Sequence, residues 1–437
     1  MRNQLHVNSL LTIVPLMLGL STLTPLCRGD EWTRFRGPNG AGVSEDRDLP
    51  TTWSDKENLL WKTELPGAGS SSPIVVGDRV FVTCYSGYGV QGGSGAMSAL
   101  QRHLVCVNRI DGKLHWTKTI PAEQPEDAST GYLTEHGYAS STPVTDGTSV
   151  FVFFGKSGVL AFSLEGEQLW HVNVGKESSN RRWGSGASLI LHENLVIVNA
   201  SEESRSIRAL DKPTGKEVWK ATGEALELAY GTPNIVRLKN GSSQLVVSVP
   251  GEVWGLDLAR GKLQWYVENN LTGNICPSVL AEGDLVYVFG GFRSSGSQLL
   301  RAGGKGNVTG SHVVWTGRSS SYVATPILVR EHLYWIDDRG LAFCVSAKTG
   351  ELVYREHVDG LEAGGRPVYA SPVVADGKLY VVSRWNGVLV LPAEPQYKLI
   401  AQNRLSDDSD FNATPAVSHS QLLLRSNRCL YCVALKP

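Results

Sequence analysis

The chain has 437 residues, with 41% hydrophobic positions, 47 Gly, 12 Trp and only 3 Met. Its 41 Lys and Arg balance 42 Asp and Glu for a net charge of −1, which removes the electrostatic basis for a nucleic-acid or anionic-membrane partner. Abundant Gly and Trp with little Met favours strands and tight turns, and the length allows two or three ordinary domains or one large repeat.

Residues 1–29 read as a secretory signal peptide: Arg2, an apolar run from Leu10 to Leu20, and a cut after Gly29. Pro15 and Pro25 interrupt the run and weigh against a retained anchor; lipidation at Cys27 is the alternative. This predicts a mature protein that is periplasmic or secreted and has no transmembrane segment. Residues 30–57 form an N-terminal extension, and 58–437 a single repeat domain.

A phrase recurs along that domain: a small residue, Pro, a few apolar residues, a Gly or Asp turn, and a second apolar run. Its Pro position falls at 73, 143, 188, 233, 277, 326, 372 and 415, with Ser188 filling one slot. After the first interval the period is close to 45 residues, which signals blades or solenoid units. Each unit reads as short alternating strands. In the seventh, Tyr369–Val374 is strand one, Asp376-Gly377 a hairpin turn, Lys378–Val382 strand two and Gly387–Leu391 strand three. Four such strands per unit make a propeller blade, so the fold class is an all-β, eight-bladed propeller.

A fourth-strand aromatic completes the units at Trp116, Trp170, Trp219, Trp265, Trp315, Tyr354 and Tyr397. The last unit ends after three strands, while Asn58–Thr63, containing Trp61, has fourth-strand character. The N-terminal strand is therefore expected to complete the last blade and close the ring. Cys429 and Cys432 have CxxC spacing but lie on one strand facing opposite sides, which disfavours a bridge or metal site. Gly155-Lys156-Ser157 lacks the first Gly of a phosphate loop and reads as a turn.

The stretch from Ala209 to Trp219, Ala-Leu-Asp-Lys-Pro-Thr-Gly-Lys-Glu-Val-Trp, resembles the tryptophan-docking repeat of the pyrroloquinoline quinone (PQQ)-like propellers. Weaker copies run from Asn108 to Trp116, from Asp257 to Trp265 and from Ser346 to Tyr354. The turn glycine shapes the hairpin, and the Trp packs between blades. That family includes PQQ- and calcium-dependent dehydrogenases, and non-enzymatic propellers such as the outer-membrane assembly lipoprotein BamB. The leader from Trp32 to Ser44, Trp-Thr-Arg-Phe-Arg-Gly-Pro-Asn-Gly-Ala-Gly-Val-Ser, is similar to that of secreted planctomycete-type members. The vicinal Cys-Cys pair that the resemblance implies for the dehydrogenases is missing here, and no calcium cage of six or more oxygens is traceable.

Loops entering strand one and loops joining strands two and three emerge on one face. That face is expected to carry Tyr138, Trp183, Arg205, Tyr230, Tyr322, Asp337, Asp338, Arg339, Tyr369, Arg384, Trp385 and Asn386 as candidate ligand-binding residues. Two long insertions, Tyr85–His103 and Pro121–Gly137, land there too. The structural blade-docking residues are Trp61, Trp116, Trp170, Trp219, Trp265 and Trp315. The expected function is a non-catalytic, monomeric scaffold binding a protein, a peptide or a cell-envelope component, with no cofactor or metal. An atypical PQQ–calcium alcohol or sugar dehydrogenase and a ligand-sensing module are the alternatives.

Overall fold

The computed structural model describes residues 31–90, 93, 95–361 and 365–436. The segment read from sequence as a signal peptide, with its expected cut, lies outside the described residues. Eight antiparallel sheets are arranged as the blades of a propeller. Blades are numbered in chain order, and their strands a to d run from the axis outward. Blade 1 comprises 74–76, 79–86, 101–108 and 114–121, and blade 7 comprises 373–375, 378–382, 388–392 and 401–403. Blade 8 takes its strands a to c from 416–418, 421–425 and 429–433, and its strand d from Leu59–Glu64, which pairs antiparallel with Cys429–Val433. The expected closure is observed, and it leaves only short outer edges.

Why the aromatics dock is visible at each blade interface. In seven blades the strand c–d pairing slips by one residue next to the strand d aromatic, a β-bulge that aims the ring sideways. The Trp219 indole then donates to the Leu258 carbonyl of blade 4 at 2.8 Å, and its ring covers Gly261. Gly261 has φ +66°, and a Cβ there would lie 2.3 Å from the Trp219 ring, so the turn must be glycine. Trp61, Trp116, Trp170 and Trp315 make the same carbonyl bond into the following blade.

Trp265 departs from the pattern and bonds Gln244 of its own blade at 2.7 Å. The strand c–d connection of blade 5 carries residues 306–307, which pair in parallel with Leu263–Glu268 and occupy the outer edge. Tyr397 is also displaced: strand d of blade 7 is Ala401–Asn403, and Tyr397 precedes it, edge-on to Tyr354 at 5.9 Å.

A second set of links runs round the axis. The backbone N–H of Ser72 donates to Thr142 Oγ1, Thr142 to Ser188, Ser188 to Thr232, Thr232 to Ser278, Ser278 to Thr325, Thr325 to Ser371 and Ser371 to Thr414, all at 2.9–3.1 Å. Blades 2 to 8 thus each hand one hydroxyl to their predecessor. This ring corrects the register of the repeat: Ser278, not Cys276, is the blade 5 member, and Ser188 is itself the hydroxyl rather than the proline position. At the interface of blades 8 and 1 the pattern changes. Ser72 Oγ is buried without a partner, and buried Arg425 of blade 8 donates to the carbonyl and hydroxyl of Ser71 instead.

Candidate functional site

The segments preceding the ring hydroxyls converge on the axis and enclose a cavity of about 180 Å³. Tyr230, Tyr322 and Tyr369 enter from blades 4, 6 and 7, each just before strand a, while blade 5 contributes Cys276. Trp183 comes from the connection between blades 2 and 3, and Tyr132, Glu135 and His136 from the insertion between blades 1 and 2, where Leu133–His136 form one helical turn. Tyr132 lies 4.3 Å from Trp183, and Trp183 stacks on Tyr230 at 5.5 Å between centroids. Arg366 caps the opposite side, its guanidinium 5.2 Å from the Tyr132 ring and 4.9 Å from the Tyr322 ring. These are favourable cation–π placements.

The charged groups at the mouth are tied to one another. Arg384 lies 4.8 Å from the Tyr369 ring and 4.4 Å from the Trp385 ring, and pairs with Glu135 at 2.6 Å and Asp410 at 2.8 Å. Trp385 donates to Asp410 at 2.9 Å. His136 Nδ1 is 2.5 Å from Ser140 Oγ, and burial holds its imidazole down at about 4, so it is neutral at pH 7. Burial pushes the Cys276 thiol up to about 12, with Arg366 opposing the shift.

A second, smaller hollow of about 30 Å³ lies beside the first, between the insertion and the strand b–c loops of blades 2 and 3. Its walls are charged. Arg102 pairs with Glu126 at 2.6 Å, and Lys156 with Asp127 at 3.0 Å. Glu202 accepts from Ser179 and from the Tyr230 hydroxyl at 2.7 Å. Glu203, 2% exposed, accepts from Ser185 through one oxygen, while its other oxygen has no partner. Burial pushes its carboxyl up to about 8; Ser185 opposes the shift and Glu202 adds to it. The Gly155-Lys156-Ser157 turn is a short 3-10 turn that delivers Lys156 to this hollow.

Of the residues anticipated from sequence, Trp183, Tyr230, Tyr322 and Tyr369 line the axial cavity, with Arg384 and Trp385 behind Tyr369. Asp338 stands 3.5 Å from Arg366. Tyr138 faces the charged hollow, its hydroxyl donating to the Asp127 carbonyl at 2.6 Å. Arg205 pairs with Glu224 away from both. Asp337 caps its own turn by accepting from the N–H groups of Arg339 and Leu341, and the Arg339 side chain is exposed. Asn386 is fully buried, and its side-chain amide has no partner. Sequence reasoning missed Tyr132, Phe35 and Arg366. Tyr132 sits in a flagged insertion and Phe35 in the flagged leader, whereas nothing in the sequence distinguishes Arg366.

This architecture defines a class, the eight-bladed propellers built from PQQ-like repeats. The chain belongs to the family described as "Outer membrane protein assembly factor BamB", whose model matches residues 84–223 and 203–302, together half of the chain. It is 20% identical over 368 residues to the tetrathionate hydrolase of Acidithiobacillus ferrooxidans, covering 76% of this chain and 66% of that protein. It is 24% identical over 284 residues to a polyvinylalcohol dehydrogenase from a Pseudomonas species, covering 57% of this chain and 39% of the relative. The chain thus spans less than two thirds of both relatives. Among solved structures it resembles BamB from Moraxella catarrhalis, with TM-score 0.60, 15% identity and 86% and 97% of the two chains covered. A europium-containing methanol dehydrogenase matches with TM-score 0.60 and 11% identity, over 93% and 98% of the chains. These structural likenesses establish the fold.

Proposed function

We propose that this protein is a non-catalytic, BamB-like binding propeller of the cell envelope, periplasmic or secreted and monomeric, which seats a ligand in the axial cavity and offers the surrounding face to a protein or peptide partner. One observation carries the reading: the acid, base and thiol at the cavity wall are engaged or held neutral. Glu135 is paired with Arg384, His136 Nδ1 is bound to Ser140, whose hydroxyl also reaches the His136 carbonyl at 3.2 Å, and the Cys276 thiol is protonated. A general acid, base or nucleophile has to be free to reach a reacting atom. Among the described residues no helix is long and apolar enough to cross a membrane.

The polyvinylalcohol and methanol dehydrogenase relatives raise the second reading, a PQQ–calcium oxidoreductase. The wall residues do not fit that cofactor. PQQ is a planar tricarboxylate, and the two cations nearest the cavity are already paired, Arg384 with Glu135 and Asp410 and Arg366 with Asp338 at 3.5 Å. Calcium takes six or more oxygens, and the one carboxylate at the wall, Glu135, is bound to Arg384. The test is a titration of the mature protein with PQQ and Ca²⁺, followed by tryptophan quenching and by dye reduction with alcohols and sugars. Binding of unfolded outer-membrane segments without dye reduction is expected. Saturable quinone binding with turnover would overturn the proposal.

A further inference from the structure

The leader that precedes the propeller crosses the axis. The Trp32 carbonyl accepts from Val75 N–H of blade 1 at 2.8 Å, and the Thr33 carbonyl from Thr145 N–H of blade 2 at 3.0 Å. The Asn39 carbonyl accepts from Asn234 Nδ2 of blade 4 at 3.3 Å. Gly42 and Ser44 exchange 2.8 Å bonds with the backbone of Val374 in blade 7. Arg36, fully buried, donates to the carbonyls of Thr325 and Pro326 in blade 6, both at 2.8 Å. Blades 2 and 6 stand opposite each other in a ring of eight, so a segment bonded to both must pass through the centre.

The tight turns need the leader's glycines. Gly37 has φ +65°, and a Cβ there would lie 2.6 Å from the Trp32 ring. Phe35 projects from this segment to the axial cavity and meets its walls on the side of the hydroxyl ring, opposite Tyr132 and Trp183. Strands a run from the ring hydroxyls toward the residues that hold the leader, which places the leader beneath the ring.

We infer that residues 32–42 are an axial plug that turns the channel into a blind cup with Phe35 as its floor, admitting a compact, uncharged, flat molecule bearing acceptor oxygens from the insertion-bearing face alone. The ligand class rests on the proposal that the cup is the ligand seat; the plug does not. Tyr132, Trp183, Tyr230, Tyr322 and Tyr369 line the cup with aromatic surface suited to a flat molecule. An ionised group would enter without a free counter-charge, because Arg384 is already matched by Glu135 and Asp410, and Arg366 by Asp338. The ring hydroxyls accept backbone N–H bonds and keep their own hydrogens to donate upward.

Two readouts separate the parts. In the first, neutral coumarin and anionic coumarin-3-carboxylate are titrated against tryptophan fluorescence. Coumarin is expected to bind at least ten-fold more tightly than the carboxylate, and Phe35→Trp to weaken coumarin at least ten-fold by raising the floor. In the second, the rate of Cys276 alkylation by iodoacetamide is followed by mass spectrometry, with buried Cys84 as the reporter of an intact fold. Arg36→Ala, which releases the plug from blade 6, is expected to accelerate Cys276 labelling about five-fold while Cys84 stays protected. Phe35→Ala, which leaves the backbone anchors in place, is expected to do so more weakly. Accelerated Cys276 labelling without coumarin binding would sink the ligand class and leave the plug standing. Unchanged Cys276 labelling in both variants would overturn the plug, as would coumarin affinity insensitive to Phe35→Trp.

Discussion

The axial cavity and the charged hollow beside it share Ser140 and Gly184 as wall residues, yet their linings follow opposite rules. On the axis the walls are mainly aromatic rings and hydroxyls, and the single wall carboxylate, Glu135, is paired with Arg384. In the hollow, two cations meet five carboxylates, and the space left is about that of one water. The comparison teaches a division of labour: the hollow locks the insertion and the Trp183 loop to blades 2 and 3, and the cavity they cover stays open. Tyr230 belongs to both, its ring lining the cavity while its hydroxyl bonds Glu202.

Breaking the lock gives the largest expected effect. Lys156→Met strands Asp127, whose pairing with Lys156 is nearly dry, with both side chains 9% exposed. It is expected to cost about 3–5 kcal/mol in a urea unfolding curve. Glu203→Gln acts in the opposite sense. The wild-type carboxyl ionises near 4.5 when unfolded and near 8 when folded. Between those values the folded chain holds the extra proton, so wild-type stability falls as pH rises and levels off above 8. Gln does not titrate, so the variant's advantage should grow across that window to on the order of 2–4 kcal/mol. A constant difference from pH 5 to 8 would refute the account. The smallest stability change is expected for Trp183→Ala, about 1 kcal/mol from lost ring stacking. Its coumarin affinity should nonetheless drop roughly ten-fold, the signature of a wall rather than a lock.

The blades were legible because proline, turn glycine and tryptophan each have a local reason to recur at a fixed period. The register at Ser188 and Ser278 was not, since the hydroxyl ring is a set of bonds between blades and leaves no mark within one. The aromatic half of the candidate site followed from topology alone: Tyr230, Tyr322 and Tyr369 each lie two or three residues before the ring hydroxyl of their blade. Arg205, Arg339 and Asn386 were placed on the same face by the same argument, but a face is wider than a cavity. The pairing inside the charged hollow was not legible because its pairs, such as Lys156 with Asp127, join an insertion to a turn with no repeat between them.

The interface of blades 8 and 1, held by Arg425 and by strand 59–64 rather than by a hydroxyl link, also sets a clock. Residues 59–64 are made several hundred residues before their partners at 429–433. At about 5–20 residues per second, ribosomal synthesis imposes a wait on the order of tens of seconds. Throughout it the first strand has no sheet to join, although the blade its tryptophan covers is made at once, and the nascent chain is a line of blades rather than a circle. Any factor that attends this protein at birth therefore has one segment to shield above all others, the one the finished ring hides last.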